Sequence, residues 1–372
     1  IHYLEVYFKF RVRKFMKLFK SLLVAPATLG LLAPMSATAN EVTINDFNAA
    51  EEIAVTNSRV DGLEARLNNF EAGSFSETTA ASFSVDTVIG SIDADTTTES
   101  TTFDYQFNIG LSTSFTGEDS LDIAIDSGSA SLSPMGTTMG FDSGTKLNVD
   151  GVTYTFPVGG ATMVVGDATD ISSTFTGACV YSAFTDATPD DCGTGNSLGV
   201  AGKGVTASLA YAFDSGFSLA GGISSPQSEI VGNSADLYGI EAAYSADNYG
   251  VAVAFVNSDN GYLPETTYWG VNGYYTFDLA SISVGYETEE NGGTDKTGYF
   301  VGLTFPEVGP GSVNVAAATT GNFADSETEY LTYEASYSYA INDGMSVTPG
   351  VFITEKDGDD LTGIAVKTSF SF

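Results

Sequence analysis

The sequence predicts an all-β fold, a transmembrane antiparallel β-barrel of about 16 strands preceded by a short N-terminal coiled-coil helix. Three observations support this prediction. One long segment alternates between apolar and polar residues, further segments repeat that pattern, and the chain begins with an export leader. We therefore expect three regions: residues 1–39 as start and signal peptide, 40–74 as a periplasmic coiled-coil helix, and 75–372 as the outer-membrane barrel.

Residues 103–115 form the clearest predicted strand, because their side chains alternate with a period of two. The apolar face comprises Phe103, Tyr105, Phe107, Ile109, Leu111, Thr113 and Phe115. Strands of soluble proteins usually have about 5–6 residues, whereas about 9–11 are needed to cross a bilayer at a tilt. The apolar face would form the core of a soluble protein, but it would contact lipid in an outer-membrane barrel, whose polar face lines water.

The N-terminal region has the features of a secretory leader. Residues 1–15 lack a starting Met and are interpreted as a mis-assigned start, because Met16 follows them. Basic residues after Met16 precede an apolar run, residues 22–35, and a small-residue cleavage site at 37–39. This order is that of a cleavable signal peptide, so we expect export to the outer membrane. The alternative is a buried N-terminal helix.

The charge balance is strongly acidic. The chain has 13 Lys and Arg against 47 Asp and Glu, and six of those bases but only one acid lie in residues 1–39. The remaining 7 bases and 46 acids repel nucleic acid, which is therefore excluded as a partner. The single histidine, His2, also lies in the leader, so the mature chain lacks histidine for a hydrolase triad or a metal site. We expect neither an enzyme nor a cofactor.

Residues 40–74 predict a helix that associates with other copies. Apolar residues recur there at alternating spacings of three and four, which is the a/d pattern of a coiled coil. The residues assigned to oligomerisation are Ile53, Val60, Leu63, Leu67 and Phe70. About three heptads are marginally stable alone, so we expect the helix to form part of a homotrimer. The alternative is an amphipathic helix that packs against its own barrel.

From residue 81 onward the alternation recurs in sixteen segments. They are 81–91, 103–115, 120–127, 147–156, 161–167, 204–213, 217–224, 237–246, 249–257, 268–277, 280–288, 298–305, 312–320, 330–340, 345–353 and 362–372. Their gaps are alternately short, with Gly, Asp, Asn and Pro, and long, with Ser, Thr, Asp and Gly. Short turns on one rim and long loops on the other are typical of bacterial outer-membrane barrels. A soluble secreted sandwich is the alternative.

Two parts of the chain resemble known proteins. The last strand ends TSFSF, with Phe370 and Phe372 on its apolar face, and resembles the terminal strand of outer-membrane barrels, whose final Phe is read by the assembly machinery. The leader MKLFKSLLVAPATLGLLAP and the stretch SRVDGLEARLNNFEAGSFSETT resemble cyanobacterial outer-membrane porins, known as iron-uptake or carbohydrate-selective porins. The resemblance implies a coiled coil followed by a sixteen-stranded barrel. That family also has an S-layer-homology domain after the leader, for which residues 40–52 are too few.

The longest predicted gap, residues 168–203, contains both cysteines of the chain. Cys179 and Cys192 are separated by twelve residues, and an exported pair at that spacing predicts a disulfide. If residue 81 leaves the periplasm, this gap is the third outward loop, which folds into the lumen in general porins. The resemblance therefore makes these residues constriction candidates: Asp170, Tyr181, Phe184, Asp186, Asp190 and Asp191. The alternative is an exterior loop that the disulfide protects from proteolysis.

The barrel region favours cations. Residues 81–372 contain 38 acids and five Lys but no Arg, so the ring of bases that an anion-selective pore needs cannot be assembled. Alternation places Asp104, Asp122 and Asp126 on the water-facing side of their strands, as further pore candidates. The alternative is that most acids only solvate loops or bind lipid headgroups through divalent ions.

These patterns together predict an outer-membrane porin, a water-filled channel for passive diffusion of small hydrophilic solutes. The charge and one family label favour inorganic cations including iron, and the other label favours carbohydrates. The expected partners are outer-membrane lipid, the barrel assembly machinery, two further copies of the chain and the solutes. A structural outer-membrane trimer and a surface adhesin are the alternatives, and channel conductance in planar bilayers distinguishes the porin from both.

Overall fold

The computed structural model describes most of the barrel region. The described residues are Arg59, 79–94, 97–130, 133–142, 144–188, 190–198, 204–227, 230, 236–259, 265–358 and 360–372. The predicted start, signal peptide and coiled coil therefore lie outside the described residues, apart from Arg59. The chain divides into two units, Ile1–Phe70 and Glu71–Phe372, and the second contains the whole sheet.

The second unit is a single sheet of sixteen long strands and one two-residue strand. The strands are β1 (Thr79–Ala94), β2 (Thr97–Thr113), β3 (Ser120–Gly128), β4 (Asn148–Val158), β5 (Ala161–Thr169), β6 (Gly204–Ala212), β7 (Phe217–Ser225), β8 (Asp236–Ser245), β9 (Tyr249–Asp259), β10 (Thr266–Thr276), β11 (Ser281–Asn291), β12 (Thr294–Val308), β13 (Gly311–Thr319), β14 (Phe323–Ala324), β15 (Leu331–Asn342), β16 (Met345–Thr354) and β17 (Leu361–Ser371). Within the described part of the chain, no helix is both long and apolar enough to span a bilayer.

The sheet closes on itself. Consecutive long strands pair antiparallel, and β17 pairs with both β16 and β1, so the last strand joins the first. The short β14 lies in the connection between β13 and β15 and pairs with β12 at Lys296 and Thr297. The predicted antiparallel barrel is therefore confirmed, and each of the sixteen predicted segments falls on one long strand.

The prediction of long loops is wrong at two places, because the strands there extend beyond the last apolar residue of each strand. Residues 92–94, 97–102 and 289–297 belong mostly to the strands of two long hairpins, and the second hairpin turns at 292–293. Their Thr-rich ends suit an extended backbone, and Glu289 lies directly opposite Lys296 with the charged atoms 3.6 Å apart. Gly292 and Gly293 have φ of 58° and 90°, as a tight hairpin turn requires.

The two rims differ as the alternating gaps predict. The turn rim carries the connections 114–119, 159–160, 213–216, 246–248, 277–280, 309–310 and 343–344. The loop rim carries the two hairpin ends and the longer connections 129–147, 170–203, 226–235, 260–265, 320–330 and 355–360. The loop rim therefore supplies most of the residues that connect the strands.

The two faces of the sheet differ in chemistry. Outward positions are apolar and exposed, as at Ile240 (63% exposed) and Ile364 (64% exposed). Their neighbours along the strands, such as Gly239, Glu241 and Ala365, point inward and are small or polar. This alternation with a period of two gives the barrel an apolar outer surface and a largely polar inner wall.

The C-terminal residue takes part in closing the barrel. The backbone N–H of Phe83 donates to the Phe372 oxygen at 2.9 Å, and the Phe372 N–H donates back at 3.0 Å. The two rings stack with centroids 5.8 Å apart, and Phe83 also stacks on Phe107 at 6.4 Å. Phe370 lies opposite Val85 within the same strand pair. Recognition of this strand by the assembly machinery stays a prediction.

One turn carries an unusually well-bonded carboxylate. Asp119 accepts hydrogen bonds from the Ser114 hydroxyl (2.8 Å) and from the backbone N–H of Phe115 (2.9 Å) and Thr116 (2.7 Å). Its second oxygen accepts from the Tyr154 hydroxyl at 2.7 Å. The Tyr154 hydrogen bond, followed by those from Thr116 and Ser114, holds the pKa of Asp119 well below its usual range.

We predict that Asp119→Asn lowers the thermal midpoint of the purified barrel at pH 7. Because the folded pKa lies below the unfolded value of about 3.9, the charge stabilises the fold above that pH and the benefit is lost as pH falls further. The difference in midpoint between the wild type and the variant should therefore narrow at pH 3. Glu118→Gln removes a neighbouring exposed charge and is the matched control. A difference that does not change with pH would contradict this assignment.

Candidate functional site

The described residues of the 170–198 loop, 170–188 and 190–198, lie inside the barrel. Its residues contact inward side chains from β6 round to β16, which are ten of the sixteen long strands, whereas the outward faces of the same strands stay exposed. A 3-10 turn (Ile171–Thr174) begins it and packs Ile171 on Leu237 and Val256. The loop therefore occupies lumen space rather than the exterior, which disfavours the alternative of an exterior stapled loop.

Glu241 on β8 binds the first part of the loop. Its two carboxylate oxygens accept hydrogen bonds from the backbone N–H groups of Thr176 (2.7 Å) and Gly177 (2.6 Å). The side chain is 3% exposed. A buried carboxylate is stable when donors replace its water, and here the loop backbone supplies them.

Glu334 on β15 binds the middle of the loop in the same manner. It accepts from the backbone N–H groups of Phe184 (2.7 Å) and Thr185 (3.0 Å). The hydroxyls of Thr185 and Tyr181 donate to it as well, both at 2.8 Å. Burial and the Glu334 carboxylate raise the pKa of Tyr181 above its ordinary value.

Glu287 on β11 binds the last described part of the loop. It accepts from the backbone N–H of Ser197 (2.6 Å) and from the side-chain amide of Asn196 (2.8 Å). Asn322, in the connection that contains β14, donates to the same carboxylate at 2.9 Å. The ion pair Lys296–Glu289 includes none of the three buried glutamates, which accept hydrogen bonds from the loop instead.

Asn272 on β10 joins the two arms of the loop. Its oxygen accepts from the Ala178 N–H at 2.8 Å, and its amide donates to the Asp191 carbonyl (3.1 Å) and to the Thr194 hydroxyl (2.8 Å). Nearby, the Ser283 hydroxyl accepts from the Val180 N–H at 3.3 Å.

The predicted disulfide is present between Cys179 and Cys192, with the two Cα atoms 5.7 Å apart. It closes the part of the loop that contains Tyr181 and Phe184. Glycine on the wall allows this part to approach closely. A Cβ on Gly285 would lie 1.7 Å from the Cys192 carbonyl oxygen, and one on Gly350 would lie 2.5 Å from the Phe184 ring. The disulfide and the three glutamates therefore fix the loop against the wall.

The predicted loop acids have different surroundings. Asp170 caps the 3-10 turn by accepting from the Ser172 N–H at 2.9 Å. Asp186 is exposed, and its backbone N–H donates to the Thr138 carbonyl at 2.8 Å. Asp190 and Asp191 begin a short helical turn (Asp190–Gly193) in which Asp191 has a positive φ of 50°. Of the two predicted aromatic residues, Phe184 is buried and Tyr181 is held by Glu334.

The predicted strand acids face inward, but one of them is enclosed. Asp104 is 1% exposed and accepts from the hydroxyls of Ser129 (3.1 Å) and Ser133, so loop residues separate it from the open lumen. Asp122 and Asp126 on β3 remain partly accessible, and Asp122 accepts from Ser120 at 2.8 Å. These two acids therefore line the open part of the inner wall.

Glu241, Glu287, Glu334 and Asn272 were not among the site residues predicted from the sequence. A signal was present, because each is a polar residue at an inward position near the middle of a strand. Inward neighbours of the three glutamates are small or hydroxylated, as Gly285 and Ser283 are beside Glu287. The high number of acids in the chain hid this positional signal.

We predict that Glu334→Gln frees the disulfide-closed part of the loop. The change puts a neutral amide in place of a carboxylate that accepts four hydrogen bonds. Each hydrogen bond to a charged group contributes about 1.5–3 kcal/mol. Amide hydrogen exchange at Phe184 and Thr185, measured on the folded barrel in detergent, should accelerate by about tenfold or more. Glu307→Gln alters an exposed acid on β12 and is the control. Equal exchange in both variants would show that Glu334 does not hold the loop.

No protein-family model matches the chain. Among curated proteins, an uncharacterized protein of Nostoc sp. (strain PCC 7120) is 36% identical over 112 residues. The match covers 29% of this chain and 19% of that protein, so it spans about a fifth of the relative's length.

Solved structures share the fold at low sequence identity. OprB of Pseudomonas putida matches with a TM-score of 0.63 and 11% identity, over 79% of this chain and 94% of that one. An anion-selective porin from Comamonas acidovorans matches with a TM-score of 0.60 and 12% identity, over 79% and 99%. A loop-deletion mutant of OmpT, an outer membrane protein of Vibrio cholerae, matches with 0.57 and 13%, over 80% and 100%. At these identities the likeness establishes a porin-type barrel fold.

Proposed function

We propose that this protein is an outer-membrane porin, a water-filled channel through which small hydrophilic solutes diffuse passively. The observation that carries the proposal is a closed sixteen-stranded barrel, apolar outside, whose lumen holds a loop fixed by three wall carboxylates. Barrels of about 8 strands fill with side chains, whereas those of about 16–18 strands leave an aqueous channel. The 170–198 loop would then narrow that channel.

The apolar outer face supports a location in the outer membrane. Exposed Ile, Val, Leu and aromatic side chains cover the outward positions of strands all round the barrel, and only a lipid environment makes so large an apolar surface favourable. The predicted leader supplies the route of export, and the strand that ends at Phe372 supplies the proposed signal for the assembly machinery. The resemblance of the leader and the coiled-coil region to cyanobacterial outer-membrane porins also supports this proposed location.

The charges support a preference for cations. Asp122 and Asp126 line the accessible inner wall, and the region 81–372 holds five Lys against 38 acids. Low-dielectric walls focus the field of such acids into the lumen. The Comamonas porin of similar fold is anion-selective, and we expect the opposite selectivity here. The solutes would be inorganic cations including iron, small carbohydrates, or both, and we propose no catalytic step.

We predict cation selectivity in planar bilayers under a salt gradient. Replacing Asp122 and Asp126 with Asn should move the reversal potential toward zero, because the change removes two lumen charges and leaves the loop anchors intact. The cation selectivity should weaken toward 1 M salt, because the screening length falls from about 10 Å at 0.1 M to about 3 Å at 1 M. Asp278→Asn on the turn rim is the control.

Three outcomes of this measurement bear on the proposal. Anion preference in the unmodified protein would overturn the charge argument. An unchanged reversal potential in the double variant would exclude these two acids as selectivity residues. A purified, inserted barrel that does not conduct would overturn the channel itself and favour a structural or adhesive role.

We further propose that the coiled coil of residues 40–74 joins three barrels. Changing Leu63 and Leu67 to Asp places charges in the seam and should reduce the trimer to monomers, because buried charges without partners are strongly unfavourable. Ala65→Asp with Asn69→Asp adds the same charge at outward heptad positions and is the control. Semi-native electrophoresis before and after heating measures the oligomer. Trimers that persist in the seam variant would favour a helix packed against its own barrel.

A further inference from the structure

A second loop spans residues 129–142, and its described residues, 129–130 and 133–142, also lie inside the barrel. It contains a short helix, α1 (Pro134–Thr138), with Ser133 at its N-terminus. Its buried apolar side chains pack against inward residues of β1, β16 and β17, and against Phe184 of the 170–198 loop. We call this set the lumen cluster: Val88, Ile92, Ala130, Met135, Met139, Phe141, Phe184, Phe352 and Ala365.

Asp104 on β2 fixes the start of this second loop. One carboxylate oxygen accepts from the Ser129 hydroxyl at 3.1 Å, and the other accepts from the Ser133 hydroxyl. The same Ser133 oxygen accepts from the Gly136 N–H at 3.2 Å and so caps α1. In the described part of the chain Asp104 forms no ion pair, so its buried charge depends on these two serine hydroxyls.

The two loops meet inside the barrel. The Asp186 N–H donates to the Thr138 carbonyl at 2.8 Å, and a Cβ on Gly140 would lie only 3.0 Å from the Asp186 side chain. The contact continues through Phe184, which belongs to the first loop and lies in the lumen cluster. Displacement of one loop therefore disturbs the other.

Together the loops take up two sides of the lumen. The 170–198 loop contacts the wall from β6 to β16, and the 129–142 loop contacts β1, β2 and the β16–β17 side. The inward residues Asp122, Ala124 and Asp126 of β3 remain accessible. The lumen space left at the level of the loops is therefore bounded by both of them.

We infer that the 129–142 loop is a second constricting segment and that Asp104 is the positioning residue that holds it. This inference rests on the proposed channel function and deepens it, because it makes the size limit for solutes depend on two loops. The lumen cluster gives this segment a fixed apolar contact with the wall, and Asp104 adds a polar one at its start.

The test compares three variants of the full-length protein in planar bilayers and in detergent. One replaces residues 131–140 by two glycines, one is Asp104→Asn, and Asp86→Asn is the matched control. Asp86 is also an inward acid, on the neighbouring strand, but it accepts from Gln106 at 3.1 Å and forms no hydrogen bond or ion pair with the described residues of either loop. Heat-modifiable electrophoretic mobility confirms that each barrel has folded.

The conductance of single channels is measured at 1 M salt, where charge effects are screened. The size of the largest neutral polyethylene glycol that enters the channel is measured as well. The deletion should raise the conductance and admit larger polymers, and Asp104→Asn should widen the current fluctuations. Amide exchange at Met139 and Phe141 should accelerate by about tenfold or more in Asp104→Asn, since charged hydrogen bonds are lost. Asp86→Asn should change neither the polymer limit nor the exchange. A loss of stability alone would reduce the number of channels without changing the conductance of each.

An open channel whose conductance and polymer limit are unchanged by the deletion would overturn the second constriction and leave the porin intact. If the deletion does not fold, unchanged exchange and unchanged fluctuations in Asp104→Asn would overturn the positioning role. A folded wild-type barrel that never conducts would instead overturn the proposed function, and this inference with it.

Discussion

Closure of the sheet is the constraint on which the rest of this structure depends. A strand edge in an apolar environment leaves backbone N–H and C=O groups unpaired, at several kcal/mol for each group. β17 removes that edge by pairing with β1 from Ser84–Ser371 to Asp93–Thr362. Once the sheet is closed, every residue of a strand faces either outward or into a limited interior. The apolar exterior and the polar, loop-containing interior both follow from this division.

The interior must then satisfy two sets of polar groups at once. A loop that enters the barrel brings backbone N–H groups that have lost water, and a carboxylate on the covered wall has lost water as well. The loop N–H groups are donors that need acceptors, and the wall carboxylates are acceptors that need donors. Each therefore satisfies the other, as the contacts of Glu241 and Glu334 with the 170–198 loop illustrate. Asp104 and the serine hydroxyls of the 129–142 loop repeat the arrangement. Neither set would be stable alone in a dry interior.

Local features of the sequence predict most of the fold, whereas the interior contacts could not be predicted from it. Alternation along one strand is a local property, and so are turn residues and the spacing of Cys179 and Cys192. The partners of the loop depend on register around the barrel: Thr176 and Glu241 are 65 residues apart, and Phe184 and Glu334 are 150 apart. Asp104 was predicted to line the pore, but its enclosure depends on where another loop folds. The apolar segments also predicted strands that are too short at the loop rim, because Thr and Ser residues continue the strand pairing beyond the last apolar residue.

The way in which the 170–198 loop is held has a consequence for how such a channel could diversify. Seven of its anchoring donors are backbone N–H groups, those of Thr176, Gly177, Ala178, Val180, Phe184, Thr185 and Ser197. Every amino acid except proline offers such a donor. Substitution at Thr176 or Val180, whose side chains are exposed, therefore preserves the anchor while changing the side chain shown to passing solutes. The side chains of Ala178, Phe184, Thr185 and Ser197 are buried, and Gly177, with φ of 59°, is restricted by its backbone. The wall side chains thus hold the loop through its backbone, and the exposed loop positions can change without loss of those bonds.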